Sequence, residues 1–222
     1  SLPEVSPDGL TYTFRLRKGV RFADDPCFPD GKGREVTAED FVHSWKRVAD
    51  VKTKSNCFWI FEDRIAGINE YHQKSITQGV SYDEPVDGAK ALDRYTIQVK
   101  LTQPYPHLIW VLTMSYTFVV PREAIEHYGN EFLNHPVGTG AYIVGDWKFR
   151  NYGITYVRNP NYHGDTYPTQ GEPGDREKGL LADAGQPLPF INEVRQFVIS
   201  DTSTEWLVFL AGQLGQSGIS KD

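Results

Sequence analysis

Adjacent carboxylates Asp24 and Asp25 are the nearest approach in this sequence to an acid/base pair, the arrangement a hydrolase would need. Neighbouring residues on a strand or turn point apart, so a solvated loop is the expected setting. The six histidines (His43, His72, His107, His127, His135 and His163) are scattered, with no HExxH or other close pair, and each reads as surface or core rather than as a ligand. Gly138-Thr139-Gly140 lacks the third glycine of a dinucleotide loop. Gly31-Lys32-Gly33 lacks the leading glycine and the Ser/Thr of a phosphate loop. There is no GxSxG elbow to anchor a serine hydrolase. Cys27 and Cys57 lack CxxC or Cys/His spacing, and their number fits one disulfide or two free thiols equally. No metal, cofactor or catalytic residue is therefore expected.

The elements that must position any site alternate between helix and strand. Tyr12, Phe14 and Leu16 share one face of Thr11 to Arg17, the pattern of a half-buried strand, and Ile97, Val99 and Leu101 repeat it over Thr96 to Leu101, a second strand able to pair with the first. Thr37 and Asp40 form a capping-box pattern ahead of Phe41, Val42, Trp45, Val48 and Ala49 at helical spacing. Pro104 and Pro106 open a short apolar helix through Leu112. A strand is expected near Thr117 to Val120, and a helix from Pro121 to Tyr128 ending at Gly129. Val144 to Trp147 and Ile154 to Arg158 read as a strand pair around Asn151-Tyr152-Gly153. Residues 164 to 189, rich in Gly, Pro and Asp, read as a long surface loop. Ile191 to Ile199 is strand-like, Thr202 with Glu205 caps a helix bearing Trp206, and the glycine-bearing tail from Gly212 should fray.

With 39% hydrophobic and 13% aromatic residues, the 222-residue chain has the material for a real core, and a chain this long buries roughly 70% of its unfolded surface. Its 23 Lys and Arg stand against 29 Asp and Glu, and the net charge of -6 disfavours nucleic acid or anionic lipid as a partner. No apolar run approaches the ~18 residues of a membrane span, and Ser1 opens no basic-then-apolar leader, so the sequence reads as a processed or excised piece. The fold class expected from the residues is mixed α and β.

Ser6-Pro7-Asp8-Gly9-Leu10-Thr11-Tyr12-Thr13-Phe14-Arg15-Leu16-Arg17-Lys18-Gly19-Val20-Arg21-Phe22, followed by Val36-Thr37-Ala38-Glu39-Asp40-Phe41-Val42 and Ser44-Trp45-Lys46-Arg47, resembles the signature of the extracellular solute-binding proteins, family 5. Ile65-Ala66-Gly67-Ile68, Val120-Pro121, Pro136 to Tyr142, Val157 to Tyr162 and Asp201 with the Trp206 helix continue the resemblance in order to about Gly215. Two stretches depart from it: Ala23 to Glu35 and residues 164 to 189 are both longer than the family's usual links.

The resemblance implies a periplasmic-binding-protein-like fold (type II, cluster C), with residues 1–118 forming an accessory lobe and 119–222 part of the first main lobe. It implies a monomeric importer component, periplasmic or otherwise extracytoplasmic and open to lipoprotein anchoring. Such a component takes up a solute by lobe closure and delivers it to an ABC permease with its ATPase. Small peptides are the solute expected from Ser44-Trp45-Lys46-Arg47 and the Ile65-Ala66-Gly67 segment, with nickel, oligosaccharide and haem as alternatives. A sensor without a permease is a further alternative, and a carboxylate hydrolase is disfavoured. Candidate wall residues are Asn56, Phe58 and Trp59, with Phe61 beside them, although core packing is the favoured role for most of these aromatics. Gly138, Thr139 and Gly140 are the second candidate segment, flanked by Tyr116 and Tyr142. An exported family also slightly favours a Cys27–Cys57 disulfide.

Overall fold

A computed structural model describes residues 2–148 and 153–218, which divide into two compact units. The first comprises residues 1–139 with 161–163, and the second 140–160 with 164–222. Among the described residues, no helix is long and apolar enough to cross a membrane.

Alternation along the chain builds the sheet of the first unit. Strand β1 (Glu4–Val5) pairs with β2 (Thr11–Arg15), β2 with β4 (Thr96–Lys100), and β4 with β3 (Ala89–Asp93), all antiparallel, in the order β1-β2-β4-β3. The expected pairing of the two alternating strands is present, with Tyr12 opposite Val99 and Phe14 opposite Ile97. This register puts their apolar side chains on one face, where β-sheet pairs gain most of their stability. Helix α1 (Ala38–Ala49) packs against β3, β4 and α2 (Ile68–Thr77). Trp45, Ala49, Phe61, Ile65, Ile68, Ile97 and Val99 form the core between them. Strand β3 and helix α2 have no counterpart in the sequence reading.

A smaller cluster, Phe22, Phe28, Val36, Ala124 and Val137, joins the long 23–35 segment to α4 (Arg122–Tyr128). Gly33 allows that segment to close, since a Cβ there would lie 2.0 Å from the Phe22 carbonyl oxygen. Because Val119, Tyr128 and Phe132 also pack on this cluster, residues 119–139 belong with the first unit, and the chain divides after Thr139 rather than at 118.

The strand expected near Thr117 to Val120 is not formed. Residues 115–117 make a single 3-10 turn, and α1 side chains take the backbone groups a ladder would need. Trp45 Nε1 donates to the Thr117 carbonyl (3.3 Å), and Val120 N donates to Ser44 Oγ (3.0 Å). The short helix after Pro106 is present as α3 (Leu108–Val111). Pro121 caps α4 and Gly129 ends it, as their types predict.

In the second unit, β5 (Tyr142–Lys148), β6 (Gly153–Arg158) and β7 (Glu193–Phe197) form an antiparallel sheet in that order. Asn151 and Tyr152, expected to turn between β5 and β6, lie outside the described residues. Residues 164–189 hold no helix or strand, only an isolated bridge between Thr166 and Pro187. Helix α5 (Thr202–Leu210) begins one residue earlier than the sequence suggests: Asp201 is the cap, accepting from Thr204 N at 2.7 Å. Residues 213–218 carry no helix or strand, and the rest of the tail lies outside the described residues.

Candidate functional site

The first candidate segment is a turn packed against two helices, α1 through Phe61 and α2 through Phe58. Residues 58–60 form one 3-10 turn, and its three side chains, with that of Phe61 just after it, divide between inside and outside. Ile60 and Phe61 are buried, and Phe61 tilts against Trp45 with ring centroids 5.9 Å apart. Phe58 is half-buried and lies flat on His72 of α2, 3.9 Å between centroids and 14° between planes. His72 Nδ1 is 2.6 Å from the Ala49 carbonyl oxygen. A carbonyl only accepts, so Nδ1 carries the proton and the ring is fixed beneath Phe58. Trp59 remains 49% exposed and Asn56 is exposed. The core reading thus holds for Phe61 and in part for Phe58. Trp59 and Asn56 are left facing solvent, and they are the residues of this segment able to touch a solute.

Sequence reasoning passed over what fixes the turn. The Arg64 guanidinium donates through Nη1 to the Trp59 carbonyl and reaches the carbonyls of Ile60 and Glu62, both at 3.4 Å. Its Cζ sits 5.0 Å above the Tyr105 ring. Arg64 directly precedes Ile65-Ala66-Gly67, and nothing in its local pattern distinguishes it from a solvated arginine; only the fold brings Tyr105 beneath it.

The second segment straddles the division of the chain. Gly138 and Thr139 end the first unit, where Gly138 O accepts from Ala23 N (2.9 Å). A Cβ at Gly138 would meet nothing within 4 Å, so close approach does not require a glycine there. Gly140 and Tyr142 belong to the second unit, where Gly140 O accepts from Asn159 Nδ2 (2.8 Å) and the Tyr142 hydroxyl donates to Ile191 O (2.8 Å). Tyr142 therefore uses its polar end internally. Tyr116, in the 115–117 turn, is 50% exposed.

The other chemistry-bearing residues are absorbed structurally. Asp24 accepts from Lys32 Nζ (2.7 Å), Asn161 Nδ2 (2.6 Å) and Gly33 N (3.0 Å), and hydrogen bonds to Lys32 and then Asn161 hold its carboxyl down at about 2. Asp25 turns the other way, accepting from Tyr128 Oη (2.8 Å) and Cys27 N (2.9 Å). The two carboxylates diverge, and the first stays ionised where a general acid would need to hold a proton. Cys27 and Cys57 are free thiols packed on different core clusters, so the disulfide is not formed. Burial, then the neighbouring Asp25, push the Cys27 thiol up to about 12, which leaves it protonated and a poor nucleophile.

A polar cavity of about 450 Å³ opens beside the start of α1, lined in part by Arg34, Asp40, His43, Tyr82, Arg122 and Glu123. Its two arginines are paired with carboxylates of the same lining. Arg34 makes a two-point contact with Asp40 (2.7 and 2.8 Å) and another with Glu123 (2.5 and 2.8 Å), while Arg122 holds Glu126 (2.6 Å) and Asp83 (3.0 Å). This arrangement ties α1 to α4. Among the described residues, no three His, Cys, Asp or Glu side chains are grouped to hold a metal ion.

With this geometry in view, comparison with known proteins gives a consistent result. A family model described as bacterial extracellular solute-binding proteins, family 5 Middle, matches residues 1–220. The periplasmic oligopeptide-binding protein OppA of Escherichia coli is 35% identical over 160 residues, which are 70% of this chain and 26% of that protein. A probable deoxycholate-binding periplasmic protein of Escherichia coli, YgiS, is 32% identical over 161 residues, covering 72% of this chain and 28% of its own length. Among solved structures, Listeria monocytogenes OppA bound to peptide superposes with a TM-score of 0.72 at 22% identity, over 96% of this chain and 36% of that one. The chain thus spans about a quarter of the length of the curated relatives it matches.

Proposed function

Because the chain belongs to the bacterial extracellular solute-binding proteins, family 5, we propose that it forms part of an importer component that binds oligopeptides outside the cytoplasmic membrane. In this reading the first unit supplies the accessory wall of a two-lobed clamp, and the closed clamp, a monomer held free or by a lipid anchor, presents its peptide to a permease and ATPase. No step of the reading requires catalysis. The observation that carries it is Trp59. An indole 49% exposed between half-buried Phe58 and buried Ile60 is costly to leave wet and is held on a backbone that cannot collapse inward. Aromatic faces of this kind suit peptide side chains of varied sequence, while main-chain hydrogen bonds supply affinity common to all of them. Relatives named for oligopeptide binding point the same way.

Calorimetry on the full-length protein carrying this chain tests it. The tetrapeptide Ala-Phe-Ala-Ala should bind with a Kd on the order of micromolar. Trp59→Ala should weaken that binding roughly tenfold while shifting Tm by less than about 2 °C, because a half-exposed ring contributes little to the core. An equal affinity of the variant would remove Trp59 from the wall.

A second reading rests on the relative named as a probable deoxycholate-binding protein, for which the same exposed indole would meet a flat apolar solute. Micromolar binding of deoxycholate together with silence toward the tetrapeptide would favour it.

A further inference from the structure

Trp59 is exposed, but its backbone is not free. Within this turn the carbonyls of Trp59, Ile60 and Glu62 turn towards one guanidinium nitrogen, Arg64 Nη1. Carbonyls at the end of a short helical turn lack intrahelical partners and carry partial negative charge, so a fixed cation among them replaces what water would otherwise supply. The cation is itself immobilised. Its Cζ lies 5.0 Å over the Tyr105 ring, and its own carbonyl accepts from Thr102 N (2.9 Å) beyond the end of β4. On the other side of the step, His72 is bonded to the end of α1 and stacks on Phe58. Trp59 thus sits between a residue clamped by its ring and a backbone clamped by a cation.

We propose that Arg64 is a positioning residue for solute binding: with Tyr105 beneath it, it pre-sets the Trp59 indole so that binding does not have to order the turn. The inference rests on the reading of Trp59 as a wall residue. Losing the clamp should weaken affinity roughly tenfold, about 1.4 kcal/mol, the size of the cost of ordering one rotamer-rich side chain and its loop on binding. Lysine offers one compact charge without the planar guanidinium that stacks on Tyr105. Arg64→Lys should therefore recover only part of the loss.

The test is a double-mutant cycle read by calorimetry with Ala-Phe-Ala-Ala in the full-length protein. Trp59→Ala and Arg64→Ala should each weaken binding about tenfold, and the double variant should be no weaker than Trp59→Ala alone, since a clamp has no role without the ring it holds. Losses that multiply independently would overturn the proposal, as would an Arg64→Ala protein that binds normally when Trp59→Ala does not. If Trp59→Ala itself binds normally, the wall reading fails first. Should Arg64→Ala unfold, Tyr105→Leu removes the platform and leaves the charge in place; unchanged affinity in that variant would equally refute the clamp.

Discussion

A single imidazole shows how strongly this fold fixes a protonation state. His43 is 9% exposed on α1, and its Nδ1 is buried without a hydrogen-bond partner. Burial, and then the nearby cations Arg47 and Arg122, bring its pKa down to about 4 from the ordinary 6.5, with Asp40 and Glu126 opposing more weakly. The folded protein therefore binds fewer protons at this site than the unfolded chain between pH 6.5 and 4. Stability must rise with pH across that window and fall as pH drops through it. The contribution is at most about 2 kcal/mol between pH 7.5 and 5. Carboxylates with depressed values, such as Asp24, act mainly below this range. Urea unfolding at pH 7.5, 6.5, 5.5 and 5.0 should show the loss, and His43→Gln should flatten the profile over those points. An unchanged slope in the variant would place the titration elsewhere.

At the scale of elements, the start of α1 is held by more than its cap. Asp40 Oδ2 accepts from Thr37 N (2.8 Å) and Thr37 Oγ1 (3.0 Å), and the same carboxylate is gripped by Arg34, which also holds Glu123 of α4. Asp40 is nearly buried while Arg34 keeps a third of its side chain in water, so the pair falls between the surface and interior extremes. Asp40→Ala should cost about 2–4 kcal/mol in chemical denaturation, and Thr37→Ala about 1 kcal/mol, the usual size of a lost cap. Equal costs would mean that the arginine contributes nothing beyond the cap.

The Thr37/Asp40 spacing was legible in the sequence because capping is local, whereas Arg34's partner on α4 is 89 residues away and could not be read. The same divide runs through the rest of the molecule. Strands β2 and β4 announce themselves by period-two alternation, but the strand expected near Thr117 to Val120 fails because Ser44 and Trp45, distant in sequence, take its backbone groups. At the candidate site the aromatic cluster was visible as composition. Which ring would stay outside depended on His72 and Arg64, neither of which carries a local signal.

For the whole molecule, magnitudes decide what this polypeptide can do by itself. A micromolar ligand gains about 8 kcal/mol, and pockets reach that by enclosing most of the ligand's surface. Trp59 and Asn56 offer one exposed face, and the chain covers 26% of its oligopeptide-binding relative. If one wall supplies about half the gain, roughly 4 kcal/mol remains, a Kd near millimolar before the fixed cost of association, which a single wall must offset alone. The 222-residue chain should accordingly show no calorimetric binding of Ala-Phe-Ala-Ala at ~100 μM, a concentration well below that limit, while the full-length protein binds it. Micromolar binding by the isolated chain would mean that a complete pocket exists within these residues, and the clamp would have to be abandoned in favour of a self-contained receptor.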